Sequence, residues 1–196
     1  MKIFKYALLA IPFLYFSCDD DDDTPDPVNE EEVITTMNVT LVAHDGSGTV
    51  FMTSVDDDGE GPNLPVVTVS GPISSMTSYS GMVEFLNELE DPAEDITEEV
   101  IEEADEHQVF FTASSGLPLE FTYVDVDSNG NPLGTQFIVA PTSEGATGSG
   151  TITITLVHEP EKPNDGLSTA GGETDIEVTF DAVSYTHLTL PTKVEV

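Results

Sequence analysis

Alternation of apolar and polar residues restricts this chain more than any other feature. It recurs in eight short runs: Thr36–Ala43, Thr49–Thr53, Ser78–Leu86, Gln108–Ala113, Leu119–Val126, Thr135–Ala140, Thr151–Val157 and Thr174–Phe180. A period of two places successive side chains on opposite faces of a half-buried strand. Clusters rich in Gly, Pro, Asp and Asn separate the runs, as at Asp56–Pro62, Ser128–Pro132 and Pro160–Gly172. That spacing predicts an antiparallel β-sandwich of about eight strands. One short acidic helix interrupts the pattern near residues 95–107. Asp95 can cap the amides of Ile96 to Glu98, Glu98 can reach back in a capping box, and Ile96, Val100, Ile101 and Ala104 form one apolar stripe. Residues 33–182 fit a single domain of roughly 150 residues.

The start of the chain reads as an address. Met1-Lys2-Ile3-Phe4-Lys5 carries two positive charges, and an apolar run from Tyr6 to Phe16 follows, so residues 1–17 are expected to be a secretory signal peptide. The run is well short of the roughly 20 apolar residues that span a bilayer. Cys18, the single cysteine, ends it behind small Ser17, and this placement resembles a lipobox, with Tyr15 where leucine is usual. The resemblance implies lipidation at Cys18 and cleavage before it. Several acyl chains then hold the protein stably to a membrane, where one chain binds only marginally. Asp19 directly after the cysteine resembles inner-membrane retention in enteric bacteria. The whole cluster Asp19–Asp23 resembles instead the surface-export signal of Bacteroidota lipoproteins, which sets the expectation of an outer-membrane, cell-surface location. Residues 18–32 are nearly all Asp, Glu, Pro, Thr and Asn, a composition expected to form a disordered acidic tether.

Charge excludes several functions. The chain has 38 acidic residues against 4 basic ones, and none of the latter is arginine. Such a polyanion repels phosphate backbones and has almost no cations with which to release counterions, so nucleic acid is excluded as a partner. The glycine-rich stretch Gly145-Ala-Thr-Gly-Ser-Gly150 lacks the lysine of a phosphate-binding loop and reads as a flexible loop. Self-repulsion on this scale calls for salt or divalent cations, and calcium is the natural candidate. The expected helix has no lysine at i+4 to relieve its acidic face.

The segment Val183–Thr192 resembles the translation, in one frame, of a transposon-derived sequencing adapter. Residues 183–196 are therefore expected to be an artefactual tail, which removes His187 and Lys193 from functional consideration; an ordinary last strand is the alternative, since Thr and Leu alternate there.

Three constellations are candidates for chemistry. Asp125-Val-Asp127-Ser-Asn129-Gly130 resembles the first half of an EF-hand loop, with Asp125, Asp127 and Asn129 as calcium ligands. The position of the bidentate glutamate falls on Gln136 or Phe137, and a hairpin turn accounts for the same residues. His44, His107 and His158 could share zinc or copper with carboxylates, although no pair has the spacing of a metal-binding helix. His107 also suits a helix C-terminus, where a cation meets the dipole favourably. There is no Gly-x-Ser-x-Gly elbow and no cysteine nucleophile once Cys18 is acylated, so no enzyme is expected.

The stretches Ile96–Phe111, His158–Lys162 and Gly171–Phe180 are similar in style to small Bacteroidota surface lipoproteins. That resemblance carries no catalytic residues. Together with the anchor it implies a binding or accessory module, with an outer-membrane transporter or a small ligand as partner. The alternative is a calcium-stabilised structural or adhesive module.

Overall fold

In the computed structural model, which describes residues 32–59 and 61–186, the alternating runs become strands of two antiparallel sheets. In chain order the elements are β1 (Thr36–Ala43), β2 (Thr49–Val55), β3 (Val66–Val69), β4 (Ile73–Ser74), β5 (Tyr79–Asn87), β6 (Glu94–Asp95), α1 (Ile96–Glu102), β7 (His107–Ala113), β8 (Leu119–Tyr123), β9 (Gln136–Pro141), β10 (Gly148–His158), α2 (Leu167–Ala170) and β11 (Glu173–Tyr185). The first sheet runs β3-β2-β1-β5-β9-β8, with β6 paired to β5; the second runs β4-β11-β10-β7. Every pairing is antiparallel except that of β4 with β11. The protein is a mostly β, sandwich-like fold, as the period-two pattern requires.

The core lies where the inward faces meet. Met37, Val39 and Leu41 of β1 and Val83 and Phe85 of β5 are fully buried with Ile152, Ile154 and Leu156 of β10 and Phe180 of β11. Their neighbours in sequence point outward, which is why Thr40, Met82 and Glu84 are polar or exposed. Burying apolar surface at about 25 cal/mol per Å² is the main stabilising contribution of such a core.

Each of the eight expected strands is present, the first with the expected ends and the other seven with shifted ones. The strand expected to reach Val126 stops at Tyr123, because Asp125 turns the chain. The helix is shorter than expected: it ends at Glu102, and His107 already belongs to β7. Asp95 does cap it, accepting from the Thr97 amide at 3.0 Å. Ile96 and Val100 are buried, whereas Ile101 is half exposed, so the apolar stripe is narrower than its sequence implied. Thr97 Oγ1 bonds both backbone groups of Phe85 and stitches α1 to β5.

β11 continues past Ala182 through Val183, Ser184 and Tyr185, with Ser184 buried opposite Gly148, so the fold does not stop where the tail was expected to begin. Residues 187–196, with His187 and Lys193, lie outside the described residues, as do the signal peptide, Cys18 and the tether up to Glu31. Among the described residues no helix is long and apolar enough to cross a membrane.

The stretch expected to be a flexible glycine loop is partly strand. Gly148 and Gly150 lie in β10 because the chain at Ser114–Pro118 presses against them: a Cβ would meet the Gly116 carbonyl oxygen at 2.1 Å from Gly148 and Ser114 Oγ at 2.0 Å from Gly150. Ser114 Oγ in turn accepts from the Thr151 amide at 2.9 Å. Gly150→Val is expected to destabilise the domain by about 1–3 kcal/mol, the cost of overpacking. Denaturant unfolding checks this as a lower midpoint at unchanged slope.

Candidate metal centre

The register of the second sheet brings two distant histidines together. β7 opens on His107, β10 closes on His158, and the antiparallel ladder sets them directly opposite each other. His107 shares the inward face with Val109, and His158 shares it with Leu156, so both rings lie at one end of the space between the sheets. Their centroids are 4.5 Å apart at 36°. Their side chains are 0 % and 4 % exposed.

Two carboxylates complete the cluster. Glu32, ahead of β1, reaches in with its side chain 6 % exposed: Oε1 is 3.0 Å from His107 Nε2 and Oε2 is 3.7 Å from His158 Nδ1. Asp175 comes from a β-bulge, since Leu156 pairs with Ile176 and Val157 with Thr174, leaving Asp175 as the extra residue. Bulges of this kind re-aim a side chain. One ligand atom from each of Glu32, His107, His158 and Asp175 lies within 4.8 Å of the others. Gly172, at φ +75°, leads into this strand where a Cβ would sit 2.3 Å from the His158 carbonyl oxygen, so only glycine fits behind the site.

Hydrogen bonding defines what the cluster lacks. His107 Nδ1 donates to the Glu103 carbonyl at 3.3 Å, which leaves Nε2 facing Glu32. With Nδ1–H so engaged, Nε2 is the nitrogen that can present a lone pair to a cation shared with Glu32. Glu32 Oε2 is buried and accepts no hydrogen bond from the described residues. A buried carboxylate oxygen without a donor is costly, and a cation relieves it.

The surroundings are strongly anionic. Glu99 and Glu103 group with Glu32, and Glu106 and Glu159 group with His158. Desolvation, followed by repulsion from Glu32, Glu103 and Glu94, raises the Glu99 carboxyl above its ordinary range, with His107 pulling the other way. An open groove of about 390 Å³ between the 101–106 turn and the 126–128 turn is lined in part by Glu102, Glu103, Asp105 and Glu106. Lys162, the only lysine in the described residues, does not serve the cluster. Its ammonium donates to the carbonyls of Ala104 and His107 at 2.6 Å and pairs with Asp127 Oδ2 at 3.4 Å, holding the start of β7 from behind.

The other sequence candidates go elsewhere. Asp125 accepts from the Gly134 and Gln136 amides and from Thr135 Oγ1, and Asp127 accepts from the Asn129 and Asn131 amides, from Asn131 Nδ2 and from Lys162. Asn129 donates its side chain to Asp105. Asp125 and Asp127 are thus both bound by protein donors in a turn, while the Asn129 side chain turns to Asp105. The hairpin reading explains them. His44 bonds Ser78 and Ser80 at 2.8 Å each, on the first sheet, and is not part of the cluster. Of the three histidines weighed in the sequence, the structure unites His107 and His158. It adds Glu32 and Asp175, which sequence reasoning missed.

Comparison with protein families, with curated proteins and with solved structures finds no match to this chain. The chemistry of the cluster therefore rests on its own donors. Two imidazoles and two carboxylates suit zinc or another late first-row divalent ion. At Zn–N distances of about 2.0–2.1 Å a tetrahedral set has its donor atoms about 3.3–3.4 Å apart. The two measured Glu32–histidine separations, 3.0 and 3.7 Å, bracket that value.

Proposed function

We propose that this chain is an exported lipoprotein, acylated at Cys18 on an outer membrane, whose sandwich binds a divalent transition-metal ion through Glu32, His107, His158 and Asp175. The observation that carries the metal is the buried convergence of these four side chains, with Glu32 Oε2 lacking a donor. Four protein ligands in a buried setting fit a binding or structural site better than a catalytic one, which keeps an open position. The acidic side chains grouped with the ligands, Glu99, Glu103, Glu106 and Glu159, raise the local concentration of cations.

Titration of the metal-free protein with zinc tests this reading. One tightly bound equivalent is expected, lost when His107 and His158 are both changed to alanine. Absence of stoichiometric uptake would refute it. The anchor and the acidic cluster after Cys18 support a binding or accessory role at the cell surface, for instance beside an outer-membrane transporter. Protease added to intact cells should then remove the domain; a fully protected domain would rule out the surface location.

A further inference from the structure

We infer that the metal also fastens the tether end of the domain, making the docking of Glu32 and the residues behind it dependent on metal occupancy. The inference rests on the metal-binding reading above and adds a conformational consequence to it.

Three of the four ligands are fixed by the second sheet. His107 and His158 belong to the paired ends of β7 and β10, and Asp175 sits in the β11 bulge between the paired residues Thr174 and Ile176, so the sheet holds all three whether or not a cation is present. Glu32 is different. It stands outside any strand, four residues before β1 begins, in the stretch where the acidic segment meets the fold. Thr35 is tied to β5 through its amide and hydroxyl on Leu86, and it receives the Glu88 amide. Ahead of Thr35 the ties are few: Val33 is half exposed, Ile34 packs only partly against the core, and Glu32 holds His107 through a hydrogen bond and His158 through a longer ion pair at 3.7 Å. The tether was expected to run through residue 32, and its last residue is instead built into the site.

Electrostatics decides which way this segment goes. Without a cation, docking buries the Glu32 carboxylate beside Asp175 and close to Glu99 and Glu103, with the imidazoles of His107 and His158, at 3.0 and 3.7 Å, as its partners in the cluster. Such burial is unfavourable unless the charge is paired. A divalent ion shared with three fixed ligands would reverse that balance, because it supplies the positive charge that the buried carboxylate lacks. The metal thereby joins the strand leading into the first sheet to three strands of the second.

Hydrogen exchange on the full chain, with zinc and with chelator, is the direct experiment. Zinc is expected to slow exchange of the Val33 and Ile34 amides by at least about tenfold, with the core amides of Ile152–Leu156 as the control for global folding. Glu32→Gln is expected to weaken zinc about 10- to 100-fold and to abolish the added protection at Val33 and Ile34 even at saturating zinc, while the Ile152–Leu156 amides stay protected. Zinc uptake with unchanged exchange at Val33 and Ile34 would overturn the inference and leave the metal site standing. No zinc uptake would overturn both.

Discussion

Zinc at about 100 times its dissociation constant should add about 2.7 kcal/mol to the stability of the folded chain, because it binds the native arrangement and not the unfolded one. For a domain of this size each kcal/mol moves the melting midpoint by about 2–4 °C, so the midpoint rises by about 5–10 °C. The reason is the cluster at the end of the core: two buried rings and two carboxylates, including an oxygen without a donor, lie within reach of one ion. His107→Ala or His158→Ala should remove most of the shift. Calcium should give little, since it prefers six to eight oxygen ligands and the Asp125–Asn131 turn already binds its own carboxylates to amides. Thermal melts with zinc, calcium and chelator, on the wild type and the two alanine variants, measure all of this. Equal midpoints with zinc and chelator would contradict it.

Loss of the Lys162 ammonium should be strongly destabilising. Lys162→Met leaves Asp127 buried without its cation and the carbonyls of Ala104 and His107 without their donor. Removing one partner of a buried pair costs about 3–5 kcal/mol. Burial alone would raise the Asp127 carboxyl, but the side chain and amide of Asn131, the amide of Asn129 and then Lys162 outweigh it and hold the group below its ordinary value. A carboxyl depressed in the folded state contributes stability that is full above its unfolded value and is lost as pH falls through the folded one. The wild type should accordingly lose stability in acid where Asp127→Asn does not lose the same share. Urea unfolding of wild type, Lys162→Met and Asp127→Asn at neutral and acid pH reads both effects. A Lys162→Met midpoint within error of wild type would remove Lys162 as the support of the β7 entrance.

The sandwich was legible because half-buried strands write their geometry into the sequence at period two. β1, β5 and β10 alternate cleanly, and their inward residues became the core. β3 escaped notice because Val66-Val-Thr-Val69 does not alternate and lies at a sheet edge; β4 and β6 have two residues each, too few for any period. The helix was visible in the Asp95 cap, but its end was not, since six acids without a basic partner extend past the point where β7 draws the chain away.

The metal centre was only half legible, and for a physical reason. His107 and His158 stood out as rare imidazoles, one read at the helix end and one after a strand, and their adjacency depends on a ladder register that sequence does not state. Pairing two strands that both end in histidine on the inward face is the signal that could have found them. Glu32 is indistinguishable by composition from the acids before it, and Asp175 reaches the site only through a bulge between Thr174 and Ile176. In a chain this acidic, the useful carboxylates are hidden among many that do nothing beyond solvation. Asp125, Asp127 and Asn129 looked better in sequence because Asx turns and calcium loops use the same residues at the same spacing.

X-ray absorption at the zinc edge of the loaded protein tests the central claim most directly. One zinc per chain is expected, with four nitrogen and oxygen ligands at about 2.0–2.1 Å and the outer-shell scattering of two imidazoles, one of which disappears in His158→Ala. Zinc surrounded by six oxygens with no imidazole scattering would contradict the assignment of Glu32, His107, His158 and Asp175 as its ligands.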